Sequence, residues 1–443
     1  MRPVYAVTGG VSKFTKARPD KTFQAVVKEA YDYALEDIGM EHPQFIELVD
    51  GSVASYFSDH FTRQLMAGIM VQDYLGLCPK PGHRVEGGGA TGGICFQEAW
   101  KQVASGYMDV CIAYGFETMS HVNTWKGNEF IALASDVSFD YPVGGFYSGY
   151  YAMMVTRHMK EFGTTVEQMA HVSVKNHMNA YHNPYAQKRL KLTVEDVRES
   201  PMVAWPLTRL DICVMSDGAA AVVLASEEGL AKLEKASGQS VPKVVVGGIG
   251  KGTDAMRMAD RPHQDFDDFR KRNLLPCEDN DDDKAYYRQL WDKGFRYPGI
   301  HSFRAGRMAS KEAYANAGIT DPLKELDFIE LHDAYTSSEI QTYEDMGLCR
   351  YGEGGDFAES GKAFVSGIDY GLDLVDEVLC PVNPSGGLIA CGHPVGATGL
   401  MQAVFAIWQL QGTIGKHFGD DVLQIRDARK GVIHSHAGTG TYV

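Results

Sequence analysis

The chain has 443 residues, 44% of them hydrophobic and 22% charged, an ordinary soluble globular composition in a chain too long for one core. A net charge of −15 argues against a nucleic-acid-binding surface and against anionic membranes, yet leaves room for a local basic patch. No apolar run is long enough to span a bilayer and no signal-peptide core precedes Val4, so a cytoplasmic location is expected.

Taken in chain order, Val4 to Val7 reads as a strand. Thr22 to Ile38 carries apolar residues at helical spacing and is closed by Gly39. Phe45 to Val49 is predicted as a short strand, Gly93 to Ala104 as a helix, and Asp109 to Tyr114 and Val222 to Leu224 as buried strands. This alternation predicts an α/β protein with helices on both faces of mixed sheets. Residues 120–210, rich in Tyr, Met and His, form a predicted loop domain that caps or lines a site. A second insertion, 251–302, holds the acidic run Glu278 to Asp283, expected to be solvated surface. The last long helix is expected to begin at Leu400.

The chain is also written twice. Lys28-Glu29-Ala30-Tyr31 recurs as Lys311-Glu312-Ala313-Tyr314, and Phe45-Ile46-Glu47-Leu48-Val49-Asp50 as Phe328-Ile329-Glu330-Leu331-His332-Asp333, both at an offset of 283 (311 − 28 and 328 − 45). Gly89-Ala90-Thr91-Gly92 echoes Gly396-Ala397-Thr398-Gly399. The repeat predicts a duplicated fold, its first half 1–119 plus 211–250 and its second half 303–443. The eight cysteines (78, 95, 111, 213, 277, 349, 380 and 391) contain no Cys-x-x-Cys pair, so neither a metal site nor a disulfide framework is expected in this chain.

The densest chemical signal is Asn383-Pro384-Ser385-Gly386-Gly387, followed by Gly392-His393-Pro394-Val395-Gly396-Ala397-Thr398-Gly399. Glycine turns and a proline-locked histidine ahead of a helix aim an imidazole and free N–H groups at one small volume. That suits a site where negative charge develops on an oxygen. The run resembles the Asn-Pro-Ser-Gly-Gly and Gly-His-Pro signatures of the thiolase superfamily. Further segments fit in the right order: Ser216-Asp217-Gly218-Ala219-Ala220 resembles the end of the N-terminal half. Val174 to Ala180 with Asn183-Pro184 resembles the loop domain of the sterol-carrier-protein branch. His332-Asp333-Ala334-Tyr335 resembles that branch's His-Asp-Cys-Phe loop, and His436-Ala437-Gly438 the C-terminal Cys-x-Gly loop.

The resemblance implies a duplicated five-layer αβαβα fold with an inserted loop domain, a coenzyme A thioester as substrate, no metal in this chain, and a homodimer. It also exposes a gap. Thiolases attack acyl-CoA with a cysteine thiolate at a helix N-terminus, but Gly89 stands in that place, and Ala334 and His436 replace the other two cysteines. Cys95 lies well below the helix N-terminus and is read as packing. Cys391, beside Ile389 and Ala390 as in a strand interior, is either core or a substitute nucleophile.

Carried over residue by residue, the family pattern has His393 and His332 donating to a thioester or enolate oxygen. The N–H groups of Gly89 and Gly438 form a second oxyanion hole, and His436 takes over acid/base work. Tyr335 is either an acid/base phenol or an aromatic at a strand end. Three functions stay open: a thiol-independent retro-aldol cleavage of a β-hydroxyacyl-CoA, an acyltransferase using another nucleophile, and a binding scaffold. Thiolase-fold retro-aldolases lacking the cysteine pair with a small OB-fold/zinc-ribbon protein, so such a partner is implied too.

Overall fold

The computed structural model describes residues 1–443. In chain order the elements that position the site are β1 (Tyr5–Val11), α1 (Phe23–Asp37), α2 (His42–Leu48), β2 (Gly51–Ser55), β3 (Gly82–Val85), α3 (Thr91–Ala104), β4 (Val110–Thr118), α4 (Tyr147–Phe162), α5 (Val166–His182), β5 (Asp217–Ala225) and β6 (Val244–Val245). The second half adds α6 (Arg304–Ala317), β7 (Phe328–Glu330), α7 (Thr336–Asp345), α8 (Val395–Gln411) and β8 (Gly431–Ile433).

Six strands form one mixed sheet in the order β3-β2-β4-β5-β1-β6. The β3, β2 and β4 strands are parallel, and pairing is antiparallel from β4 through β5 and β1 to β6. β4 and β5 are buried along their whole length because helices cover both faces. One face meets α1 through Val26, Val27, Ala30 and Tyr31; the other meets α3 and α8. α8 also packs on β8, which runs parallel to β7 in a short second sheet, extended by a bridge from Ile329 to Val382. α6, β7 and α7 share a core of Tyr314, Ile329, Leu331, Ile340 and Tyr343. The layers are therefore helix, sheet, helix, sheet, helix. No helix is long and apolar enough to cross a membrane.

The duplication is present at an offset of 279 rather than 283. Gly39 and Gly318 end α1 and α6 with left-handed φ of 63° and 70° (318 − 39 = 279). A Cβ at Gly10 would lie 2.1 Å from the Ala30 carbonyl oxygen, and one at Gly250 would lie 1.9 Å from that of Ala309, again 279 apart. Gly250, counted with the first half from sequence, thus sits on α6 as Gly10 sits on α1. The repeated Lys-Glu-Ala-Tyr is shifted by four residues, about one helical turn, which keeps the same face inward and so misleads pattern matching.

The other half of that match is a coincidence. Phe45 to Val49 is not a strand: it lies in α2, started by a capping box between Glu41 and Gln44 and by Pro43 in the first turn. The same letters at Phe328–Glu330 form β7. The last long helix starts at Val395, five residues before Leu400, with Gly396 and Gly399 inside it. Gly399 is needed because a Cβ there would come within 2.1 Å of the Gly93 nitrogen, where α8 crosses α3. The acidic run is only partly solvated: Glu278 is buried against Arg307 (2.9 Å) and Asp283 is buried against Arg350.

Candidate active site

His393 is held from three sides. Its backbone N–H donates to Ser216 Oγ (3.0 Å), Gly392 before it has φ of 125°, and its ring Nδ1 lies 2.8 Å from Thr398 Oγ1. Thr398 has one hydroxyl proton and two acceptors, Nδ1 and the Pro394 carbonyl at 3.1 Å. That carbonyl already accepts the N–H groups of Ala397 (2.8 Å) and Thr398 (3.1 Å), so the hydroxyl serves Nδ1. This leaves Nε2 carrying the proton, as a donor into the site. Glu117, buried under the start of α8, accepts from Phe57 N–H (2.8 Å) and Gly396 N–H (3.1 Å), and burial pushes its carboxyl up to about 8.

The Asn-Pro-Ser-Gly-Gly run is bound by carboxylates from β7 and α7. Glu330 accepts Ser385 N–H (2.9 Å) and Oγ–H (2.6 Å), and Asp333 accepts Leu388 N–H (2.6 Å). Asn383, at left-handed φ of 53°, accepts Leu331 N–H (2.8 Å) and donates to Glu339 (2.8 Å). From α5, Lys175 reaches Glu339 (2.8 Å), the Val382 carbonyl (2.6 Å) and Asn176 (2.8 Å), with no exposed surface on either ion. Cys391 closes a single π-helical turn, Gly387–Cys391, and is not in a strand; the turn is pinned by Asp333.

Above this platform four imidazoles meet. The His332 ring stands perpendicular to that of His393 with centroids 5.1 Å apart, and stacks on His436 at 5.1 Å. His332 N–H donates to His434 Nδ1 (3.4 Å), and His434 and His436 lie 6.0 Å apart. Nδ1 of His332 and Nδ1 of His436 are buried without a hydrogen-bond partner. Gly89 closes the cluster: a Cβ there would lie 3.2 Å from His332 Cε1. No group of three or more His, Cys, Asp or Glu side chains is arranged to hold a metal ion.

Two members escaped the sequence reading. Tyr151, on α4, places its hydroxyl 2.6 Å from His436 Nε2 and 3.0 Å from the Gly438 carbonyl. It thereby ties His436 and Gly438 to the loop domain. Tyr335 stacks on Tyr151 with centroids 4.2 Å apart, and its own hydroxyl faces Ser148 Oγ at 3.3 Å, one ring removed from the imidazoles. The only sequence signal for His434 was the His-x-His alternation after β8, which puts both rings on one side. Tyr151 carried no signal at all, because one tyrosine among many in 120–210 is not distinguished by spacing.

The space a nucleophile would need at position 89 is filled. A Cβ on Gly89 would come within 2.6 Å of the His436 carbonyl oxygen, a separation real Cβ atoms do not show. Burial also holds the nearby thiols protonated at pH 7, pushing Cys95 and Cys213 up to about 12 and Cys391 well above its ordinary range. Gly89→Cys is therefore expected to destabilise the protein by about 1–3 kcal/mol through overpacking and to gain no thiolysis. A urea midpoint equal to that of the unmodified protein, with thiolysis gained, would contradict this.

Burial pushes His393 and His434 down to about 4 and His436 to about 3; His332 is driven well below its ordinary value, first by burial and then by its imidazole neighbours. All four rings are neutral at pH 7. Folded values below the unfolded value of about 6.5 mean that the unfolded chain binds more protons between about 6.5 and 4. Their contribution is complete above pH 6.5 and is lost as the pH falls through that window, by up to about 3 kcal/mol per ring. The urea midpoint should fall between pH 7 and 4.5, and more gently in His393→Asn; identical slopes would exclude the ring as a source.

Sequence comparison gives these observations a context. The profile of the thiolase N-terminal domain matches residues 4–228, and that described as thiolase C-terminal domain-like matches 296–442. The chain is 34% identical over 440 residues to an acetyl-CoA acetyltransferase of Methanothermobacter thermautotrophicus, covering 99% of this chain and 97% of that protein. It is 30% identical to the benzoylsuccinyl-CoA thiolase subunit BbsB of Thauera aromatica, covering 93% of this chain and 89% of that one. In fold it is similar to the Ltp2-ChsH2(DUF35) aldolase, with a TM-score of 0.72 at 22% identity over 99% of this chain and 96% of that chain.

Proposed function

The chain belongs to the thiolase family, and on that footing we propose that it cleaves a β-hydroxyacyl-CoA by a retro-aldol reaction that uses no thiol. That it acts on an acyl-CoA thioester follows from the family. The finer reading rests on Gly89, whose missing side chain leaves a gap already closed by the His436 carbonyl at 2.6 Å from any Cβ.

In this reaction the β-hydroxyl gives up its proton, the Cα–Cβ bond breaks, and its electron pair moves into the thioester as an enolate. The β-carbon leaves as an aldehyde or ketone, and the enolate takes a proton at Cα. The enolate oxygen is received by Nε2–H of His393, a neutral donor fixed by Thr398 and Ser216 before substrate arrives, and by His332, whose ring packs against it. The N–H groups of Gly89 and Gly438 form the second oxyanion hole. The Tyr151–His436 pair moves the hydroxyl proton, Tyr335 packing its phenol against the relay. The depressed imidazole favours a cation only once the enolate's negative charge is present beside it, which couples proton transfer to bond cleavage.

The reading includes a homodimer, as the family resemblance implies, and a small OB-fold/zinc-ribbon partner, which the fold likeness to the Ltp2-ChsH2(DUF35) aldolase supports. An acyltransferase is the second reading, favoured by the 34% identity to an acetyltransferase. One experiment separates them. Incubated with a β-hydroxyacyl-CoA and no free CoA, the protein should release a carbonyl product, and its intact mass should stay unchanged. Cleavage of a β-ketoacyl-CoA only with free CoA, with the β-hydroxyacyl-CoA left intact, or an acyl adduct on any cysteine, would decide for the transferase.

A further inference from the structure

A cavity of about 950 Å³ opens beside the Gly438 loop, between residues 135–157, 256–263 and 296–301. Arg261 lines it with a side chain only 2% exposed. Its Nη2 donates to the Thr439 carbonyl (2.6 Å) and Oγ1 (3.1 Å), while Nε and Nη1 have no hydrogen-bond partner. The nearest carboxylate, Asp254, stands 3.7 Å from Nε and is itself held by Arg304 at 3.1 Å. Two guanidinium ions thus share one carboxylate, which leaves a surplus positive charge at the cavity wall.

Of the other arginines on this wall, Arg157 pairs with Glu161 (2.6 Å), Arg257 pairs with Asp260 (3.0 Å), and Arg296, which is exposed, donates to the Trp291 (2.8 Å) and Phe295 (2.6 Å) carbonyls. Arg261 differs in being both buried and idle at two donors, a state that costs free energy unless an acceptor arrives. The buried Tyr147 hydroxyl, on the same cavity, also lacks a partner. The cavity starts where the reaction centre ends, since Thr439 follows Gly438 and Tyr151 bonds both Gly438 and His436.

We propose that this cavity takes the acyl group beyond its reacting carbons and that Arg261 receives a second carboxylate carried by that group, making the substrate a dicarboxylic acid mono-thioester of CoA. The inference rests on the acyl-CoA reading above. A single buried cation with open N–H groups selects a carboxylate over the methyl group of a plain fatty acyl chain.

The test is calorimetric binding of unreactive saturated thioesters: glutaryl-, adipyl- and suberyl-CoA against pentanoyl-, hexanoyl- and octanoyl-CoA. At least one dicarboxylic member should bind roughly 10- to 100-fold tighter than its chain-length match. Arg261→Gln should collapse that ratio, and Arg261→Lys should restore part of it. Equal affinities across every pair in the unmodified protein would overturn the proposal. So would a Gln variant that weakens both members equally, because the arginine would then serve the CoA moiety or the Gly438 loop. If no thioester of either series binds, the acyl-CoA reading itself falls, so the two failures are told apart. Should the Gln variant not fold, the unmodified protein and the Lys variant still decide.

Discussion

Replacing His393 with alanine is expected to lower kcat on a β-hydroxyacyl-CoA by about 10²–10³, the loss found when one oxyanion donor is removed. The ring is placed to act only as a donor: Thr398 holds Nδ1 at 2.8 Å, Ser216 holds the backbone at 3.0 Å, and burial keeps the imidazole neutral. Thr398→Val should give a smaller loss in the same direction, because it frees the tautomer and not the position. A His393→Ala enzyme within a few-fold of the unmodified protein would remove this ring from the chemistry.

The second large effect is structural. Lys175→Met should destabilise the fold by about 3–5 kcal/mol, the cost of leaving a buried carboxylate without its cation. Lys175 and Glu339 are both wholly buried, and Glu339 also receives the side-chain amides of Asn176 (2.7 Å) and Asn383 (2.8 Å). Burial, with Glu339 beside it, holds Asp333 well above the usual carboxylate range. Losing the lysine should also loosen Asn383, which shares Glu339 with it, and with it the turn at Gly387–Cys391. Urea unfolding measures the first effect. A double variant, Lys175→Met with Glu339→Gln, should recover part of the stability, and no recovery would mean that the pair is not the source.

These two residues mark different kinds of legibility. His393 was visible because glycine and proline constrain the backbone wherever they occur, so Gly-His-Pro carries its geometry in the sequence. Lys175 was visible only as part of a motif; its partner Glu339 is 164 residues away and nothing local connects them. The Phe-Ile-Glu-Leu repeat shows the limit from the other side. The same letters make a helix at 45–48, where Glu41, Pro43 and Gln44 start one, and a strand at 328–330, where β8 supplies a pairing edge.

The sequence by itself determined the α/β layering, the doubling of the chain, the glycine at position 89 and the imidazoles at 332, 393 and 436, because periodicity, glycine turns and the identity of one residue are local properties. Only the tertiary structure decided the 279-residue register, the helical nature of 42–48, the closing of the space at Gly89, the presence of Tyr151 and His434 around one centre, and that of Arg261 on the wall of the cavity beside it. Each of these depends on which atoms far apart in the chain come within hydrogen-bond or van der Waals distance, and that follows from packing, which no local pattern encodes.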